Sequence, residues 1–216
     1  MSHITLIRHG QANTGAQDEI SYDRLSPLGH QQAVWLGDHL RASGSHHPRV
    51  YCGTLVRHIE TARSMDSGEP IQDPRLNELE YFTLAKLLED QKGITLPVER
   101  EGFVKHLPMV FSSWQKGEIV GAPETFEAFE QRVNEALQEI ARGPGPALVV
   151  TSGGLISIVM REVMELNIAS TARVALAIMN TSMHRLFPIG DQLSPILFNA
   201  VPHLDPPERH FAQTHF

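Results

Sequence analysis

ITLIRHG, residues 4–10, is the stretch on which the fold turns. Ile4 to Ile7 reads as a short buried strand, and it breaks at Arg8-His9-Gly10 into a polar, glycine-containing loop that runs to about Arg24. A charged pair therefore stands where a strand ends. Beyond the loop, Ser26 followed by Pro27 is an N-cap and first-turn signal, and Leu28, Ala33, Leu36 and Leu40 keep approximate helical spacing until Ser43-Gly44 stops it. The unit is strand, loop, helix, and it recurs. Residues 50–52 form a strand, Gly53 a turn, and Leu55, Ile59, Ala62 and Met65 the buried stripe of a helix that carries Arg57. After Gly143-Pro144, residues 147–151 are a buried strand, Ser152-Gly153-Gly154 turns the chain, and residues 155–166 return as a helix.

Strands alternating with helices predict a three-layer α/β/α fold with a mostly parallel sheet covered on both faces. Phe126, Phe129, Val133, Leu137 and Ile140 mark a strongly amphipathic helix starting near Pro123-Glu124, a core stripe with no cofactor role. Between about 79 and 122 the spacing loosens, with helices expected near 82–92 and 103–114. This segment reads as a helical cap or insertion within one domain spanning 1–216. The tail from Pro202, rich in proline and histidine, is expected to be irregular.

A net charge of −7, with no Lys/Arg cluster, argues against a nucleic-acid partner, so an anionic ligand has to be caught by a local pocket. Cys52 is the single cysteine and has no internal disulfide partner. No apolar run approaches the roughly 18 residues that a membrane span needs. A cytoplasmic setting without membrane contact is the expectation. No Cys/His or carboxylate cluster has metal-ligand spacing, so neither a metal nor another cofactor is expected.

In open parallel sheets, ligands settle beyond the carboxyl ends of the strands. Three such ends carry reactive turns here: Arg8-His9-Gly10, Gly53 to Arg57, and Thr151-Ser152-Gly153-Gly154. Guanidinium groups make paired hydrogen bonds to phosphate oxygens, so Arg8 and Arg57 converging on one point would build a dianion site. A neutral imidazole beside them, His9, is a competent nucleophile near pH 7. Gly10 would let backbone and ligand approach closely. Gln11, Asn13 and Thr14 would contact phosphate or substrate, or else only stabilise the turn.

The blocks LIRHGQ, LSPLGHQQA (25–33), GTLVRHIETA (53–62), RLNELE (75–80), PETFEAFEQRV (123–133) and VVTSGGLI (149–156) together resemble the histidine phosphatase superfamily, also called phosphoglycerate-mutase-like, over residues 3 to 187. The resemblance implies His9 as the phosphorylated histidine, Arg8 and Arg57 as phosphate-binding arginines, and Glu78 as general acid. A carboxyl beside a bound phosphate is discouraged from ionising, which suits Glu78 to that role. The implied partner is a small phosphorylated molecule.

Ser152 stands where the family pattern has a second histidine. Serine offers a neutral hydrogen bond in place of an often charged one, and losing one preorganised donor typically costs about 3–4 kcal/mol of transition-state stabilisation. The site is expected to be weakened at Ser152, which would bind phosphate or only cap the following helix. Alternatively, a histidine from elsewhere fills the gap: His58 beside Arg57, His184 in an expected strand, or His203 near the tail. His30, His39, His46 and His47 are expected to be exposed.

The expected activity is phosphatase action through phospho-His9. A mutase would need further basic residues around the pocket, and the loose region supplies only Lys86, Lys92, Arg100 and Lys105. A binding or regulatory protein with turnover abolished by Ser152 is the remaining alternative, although such a pocket would need only the arginines.

Overall fold

The computed structural model describes every residue except Met1, Gln17, Val98, Asp191 and Phe216, and the side chain of Arg100 also lies outside what is described. Among the described residues, six strands form one sheet in the order β3-β2-β4-β1-β5-β6. These are β1 (Ile4–Arg8), β2 (Arg49–Cys52), β3 (Ile71–Gln72), β4 (Ala147–Thr151), β5 (Met183–Ile189) and β6 (Gln192–Ala200). The first four run parallel, β5 runs antiparallel to β1, and β6 runs antiparallel to β5, which makes the sheet mixed. The histidine expected in a strand, His184, lies in β5, opposite Leu6 of β1. Edge strand β6 lacks the apolar pattern that revealed β4, because its side chains are exposed or half-buried, and Pro195 is tolerated there as it would not be in a central strand.

The central strands are buried on both faces, and their alternation divides the core. Ala147 and Val149 of β4, with Ile4 and Leu6, face one hydrophobic cluster, while Leu148 and Val150, with Ile7, Val50 and Cys52, face the other. Helices α2 (Pro27–Ala42) and α3 (Val56–Ser64) cover the second face. The first is covered by α6 (Phe126–Arg142), α7 (Gly153–Val163) and α8 (Ile168–Ala177). Residues from α4 (Tyr81–Lys92) and α5 (Arg100–Gln115) join the same cluster, among them Leu84, Leu88, Phe111 and Trp114. A four-residue helix, α1 (Glu19–Tyr22), interrupts the loop after β1, with Asp18 and Ser21 forming a capping box.

Local sequence sets the helix ends. Ser26 accepts the Gly29 amide at 3.1 Å ahead of Pro27, and Thr125 caps α6 through the Ala128 amide at 3.1 Å, two to three residues after the predicted start. The tail departs from expectation by being ordered, with 3₁₀ turns at Pro202–Leu204 and Pro207–Ala212 and with Leu204 and Ala212 fully buried. His47 also departs from it. The ring is buried, with Nε2 3.2 Å from Thr5 Oγ1, whereas His46 is exposed and His30 and His39 are half-buried.

Candidate active site

The parallel pairing of β1 and β4 places Arg8 beside Thr151, so the next residues, His9 and Ser152, emerge side by side at the carboxyl edge of the sheet. The His9 amide donates to the Thr151 carbonyl at 2.8 Å and fixes this arrangement. His9 is 1% exposed, and its Nδ1 lies 2.7 Å from the Gly10 carbonyl oxygen. A carbonyl only accepts, so Nδ1 carries the proton and Nε2 is left as the basic nitrogen. Burial, then the charges of Arg57 and Arg8, hold the ring well below the usual histidine range, which keeps it neutral. Gly10 answers to packing more than to ligand approach: a Cβ there would lie 2.3 Å from the Gly29 carbonyl oxygen at the start of α2.

Two guanidinium groups flank His9. Arg8 Nη1 donates to the Ile178 carbonyl and, at 2.9 Å, to the His215 carbonyl, so the ordered tail takes part in holding it. Arg57 lies in the first turn of α3 and is 2% exposed. Its Nη1 donates to Asp23 Oδ1 at 3.0 Å, and the Tyr22 ring centroid is 5.0 Å from its guanidinium carbon. The Nε–H groups of both arginines are buried without a partner. Among the described residues other arginines share that feature, but of these Arg8 and Arg57 flank His9, where a bound anion would satisfy them.

Glu78 approaches from the segment after the 3₁₀ turn Pro74–Leu76. Its carboxylate accepts the amides of Gly154 at 2.9 Å, Leu155 at 3.0 Å and Leu79 at 3.1 Å, so it seals the N-terminus of α7. Gly154 permits this, because a Cβ there would fall 2.5 Å from Glu78 Oε1. Ser152 precedes α7 but makes no side-chain cap; its Oγ lies 2.6 Å from His58 Nε2, and both residues are fully buried. Of the three histidines weighed as substitutes, His58 lies closest to His9, with ring centroids 5.8 Å apart. The other two bond elsewhere, His184 to Ser182 and His203 to Thr181.

Arg8, His9, Arg57, Glu78, Asn13 and Thr14 line one cavity of about 840 Å³. Gln11 does not. Its side chain accepts the Ser26 hydroxyl at 2.7 Å, and its backbone amide donates to Gln32 Oε1. Asn13 is bound locally as well, donating to the Ser21 carbonyl and accepting the Gly15 amide, the turn role that was its alternative. Neither Ser152 nor His58 lines this cavity; both are fully buried, Ser152 immediately before the lining residue Gly153 and His58 immediately after the lining residue Arg57. Unforeseen in sequence were Asp23, Tyr22 and an apolar wall including Tyr81, Phe82, Phe103, Leu107 and Phe111. These residues carry no motif, and Tyr22 and Asp23 sit in a stretch that reads simply as polar loop. Among the described residues, no group of three or more His, Cys, Asp or Glu side chains is placed to hold a metal, and no helix is long and apolar enough to cross a membrane.

The chain is 31% identical over 172 residues to a probable phosphoglycerate mutase, GpmB, of Salmonella paratyphi C, covering 74% of this chain and 75% of that protein. It is 29% identical over 166 residues to a metal-independent phosphoserine phosphatase of Arabidopsis thaliana, covering 72% and 66% respectively. In fold it is similar to a phosphoserine phosphatase from Entamoeba histolytica solved in complex with phosphoserine, with a TM-score of 0.69 at 17% identity over 94% of this chain and 100% of that one. The family model described as histidine phosphatase superfamily (branch 1) matches residues 4–200, and this chain belongs to that superfamily.

Proposed function

We propose that the protein is a phosphatase that hydrolyses small phosphate monoesters through a phosphohistidine on His9. One observation carries this reading: a buried imidazole whose Nδ1 lies 2.7 Å from the Gly10 carbonyl oxygen, lining one cleft with two arginines. Arg8 and Arg57 bind the phosphoryl oxygens, and His9 Nε2 attacks phosphorus as the bond to the ester oxygen breaks. That oxygen leaves with the bonding pair and takes a proton from Glu78. Water then attacks the phosphohistidine, returns a proton to Glu78 and releases phosphate. Residues 79–122, which contain α4 and α5, serve as the cap that shapes the ester-binding end.

A mutase must hold a substrate that carries charge beyond the transferred phosphate. Among the described residues lining the cleft, Arg8 and Arg57 are the only Lys or Arg side chains, and Lys86 and Lys92 are spent on surface ion pairs. Glu19 adds negative charge, and the remaining wall is largely aromatic and aliphatic. These features favour hydrolysis of esters with an apolar body over transfer within a phosphoglycerate. Incubation with phenyl phosphate and a quench without acid should trap an acid-labile phosphate on the wild type and none on His9→Ala. Undiminished turnover by a folded His9→Ala would refute the nucleophile. A kcat/KM for 3-phosphoglycerate above that for phenyl phosphate would refute the apolar preference.

A further inference from the structure

We infer that His58 and Ser152 work as one buried donor relay, in which the imidazole sets the hydroxyl of Ser152 so that its proton points to the phosphoryl group on His9. This rests on the phosphatase reading of the same site. It makes His58 a positioning residue, acting through the serine.

The direction of the bond follows from what surrounds the ring. His58 Nε2 lies 2.6 Å from Ser152 Oγ, while Nδ1 is buried with no partner. A proton on Nδ1 would be an orphaned N–H in the protein interior, which is rarer and costlier than an unused lone pair. The proton therefore sits on Nε2 and is donated to Ser152 Oγ. The ring stays neutral, since burial, with Arg57 adding to it, holds it well below the usual histidine range. Serine, accepting at oxygen, keeps its own O–H free, and among the described residues Ser152 Oγ has no other hydrogen-bond partner.

Among the described residues no acceptor takes that proton, and the ligand is expected to supply one. Ser152 stands beside His9 by strand register, and the next residue, Gly153, lies against Arg8, with a hypothetical Cβ 3.4 Å from Arg8 Nε. An anion held between Arg8 and Arg57 would be a partner of the right charge for that proton. A donor that is itself hydrogen-bonded is polarised and strengthened, the more so in a site closed to water.

The fold makes room for this ring. A Cβ on Gly53 would fall 2.2 Å from His58 Nδ1 and 2.6 Å from Asn77 Oδ1, so any larger residue at the end of β2 would displace the imidazole. Glycine at 53, histidine at 58 and serine at 152 form a set in which each depends on the others. The weakened donor expected from Ser152 alone is thereby reinforced from α3.

Steady-state kinetics on phenyl phosphate and para-nitrophenyl phosphate would test the relay in wild type, Ser152→Ala, His58→Ala, His58→Gln and the Ser152→Ala/His58→Ala double variant. Ser152→Ala is expected to lower kcat about 100-fold, with KM changed little and equal losses on both esters, because the donor acts on the phosphoryl oxygens and not on the leaving group. His58→Ala should lower kcat about tenfold, the double variant should match Ser152→Ala alone, and His58→Gln, which keeps an N–H near the serine, should recover most of the loss. Losses that multiply in the double variant, or an unchanged kcat in Ser152→Ala, would overturn the relay. Binding of orthovanadate and inorganic phosphate, measured by calorimetry, provides a test independent of turnover. Ser152→Ala should weaken vanadate, which adopts the five-coordinate shape, more than phosphate, and equal weakening would overturn the relay. A wild type that binds both anions but hydrolyses no ester would instead refute the phosphatase reading.

Discussion

Asp23 Oδ1 accepts both the Arg57 guanidinium at 3.0 Å and the Arg57 backbone amide at 3.2 Å, while its Oδ2 takes the Val56 amide at 2.9 Å. One carboxylate thus caps the first turn of α3 and aims the arginine that the same turn carries. Asp23→Asn keeps an oxygen for one donor and loses the charge. If aim matters most, KM should rise about tenfold as Arg57 drifts, with a stability loss of about 1–2 kcal/mol from the weakened cap. Tighter phosphate binding in this variant would show instead that Asp23 chiefly neutralises Arg57.

Acid should destabilise the fold through its histidines. Burial holds His47 down to about 4 and His184 and His203 to about 3, and it pushes His9 and His58 well below the usual range. Each depressed value means that the unfolded chain binds protons which the folded chain refuses. Their stabilising contribution is complete above about pH 6.5 and is lost as pH falls from there toward 3 to 4, on the order of 1 kcal/mol per pH unit for each well-buried ring. Denaturant midpoints at pH 7.5, 6 and 5 would reveal it, and equal midpoints would contradict it. Any phosphatase activity of the folded protein should lack an acid limb near 6.5, because His9 is still neutral there.

Glu78→Gln separates two roles of one side chain. A glutamine can accept from one of the two amides at the start of α7, Gly154 and Leu155, so stability should fall by about 0.5–2 kcal/mol. As a lost acid, the same change should slow hydrolysis of phenyl phosphate at least tenfold more than that of para-nitrophenyl phosphate, whose phenolate departs without a proton. Equal slowing of both esters would leave Glu78 a structural cap.

The legibility of this chain followed burial. Strands β1 and β4 are buried throughout and read clearly as apolar runs ending in reactive turns, and Ser26-Pro27 gave the start of α2 within its own capping geometry. Strand β6 was missed because an edge strand with one open side needs no continuous apolar pattern. At the cleft, Arg8, His9 and Arg57 announced themselves by charge at strand ends, whereas Asp23 and Tyr22 act through contacts across 34 or 35 residues of chain that no local pattern encodes. Gln11 shows the converse: its place in a signature suggested phosphate, but Ser26 and Gln32 claim its polar groups.

Ser152→His tests whether the space beside His9 is vacant or filled. A gap at Ser152 would admit a new imidazole and raise kcat. The structure instead has the His58 ring 2.6 Å from Ser152 Oγ, with no exposed surface on either residue. A histidine at 152 would drive its own ring into that of His58, and overpacking of this kind typically costs about 1–3 kcal/mol. Ser152→His alone should therefore lose both activity and stability. Removing the obstacle in the same chain, as Ser152→His/His58→Ala, exchanges one imidazole for another across the same space. This double variant should recover stability relative to Ser152→His and exceed both single variants in kcat, a coupling opposite in sign to that of two independent defects. Measuring kcat and melting temperature for the four proteins decides the matter. A Ser152→His variant more active than wild type would mean that the His58 ring yields its place, and that the site was waiting for a donor it lacked.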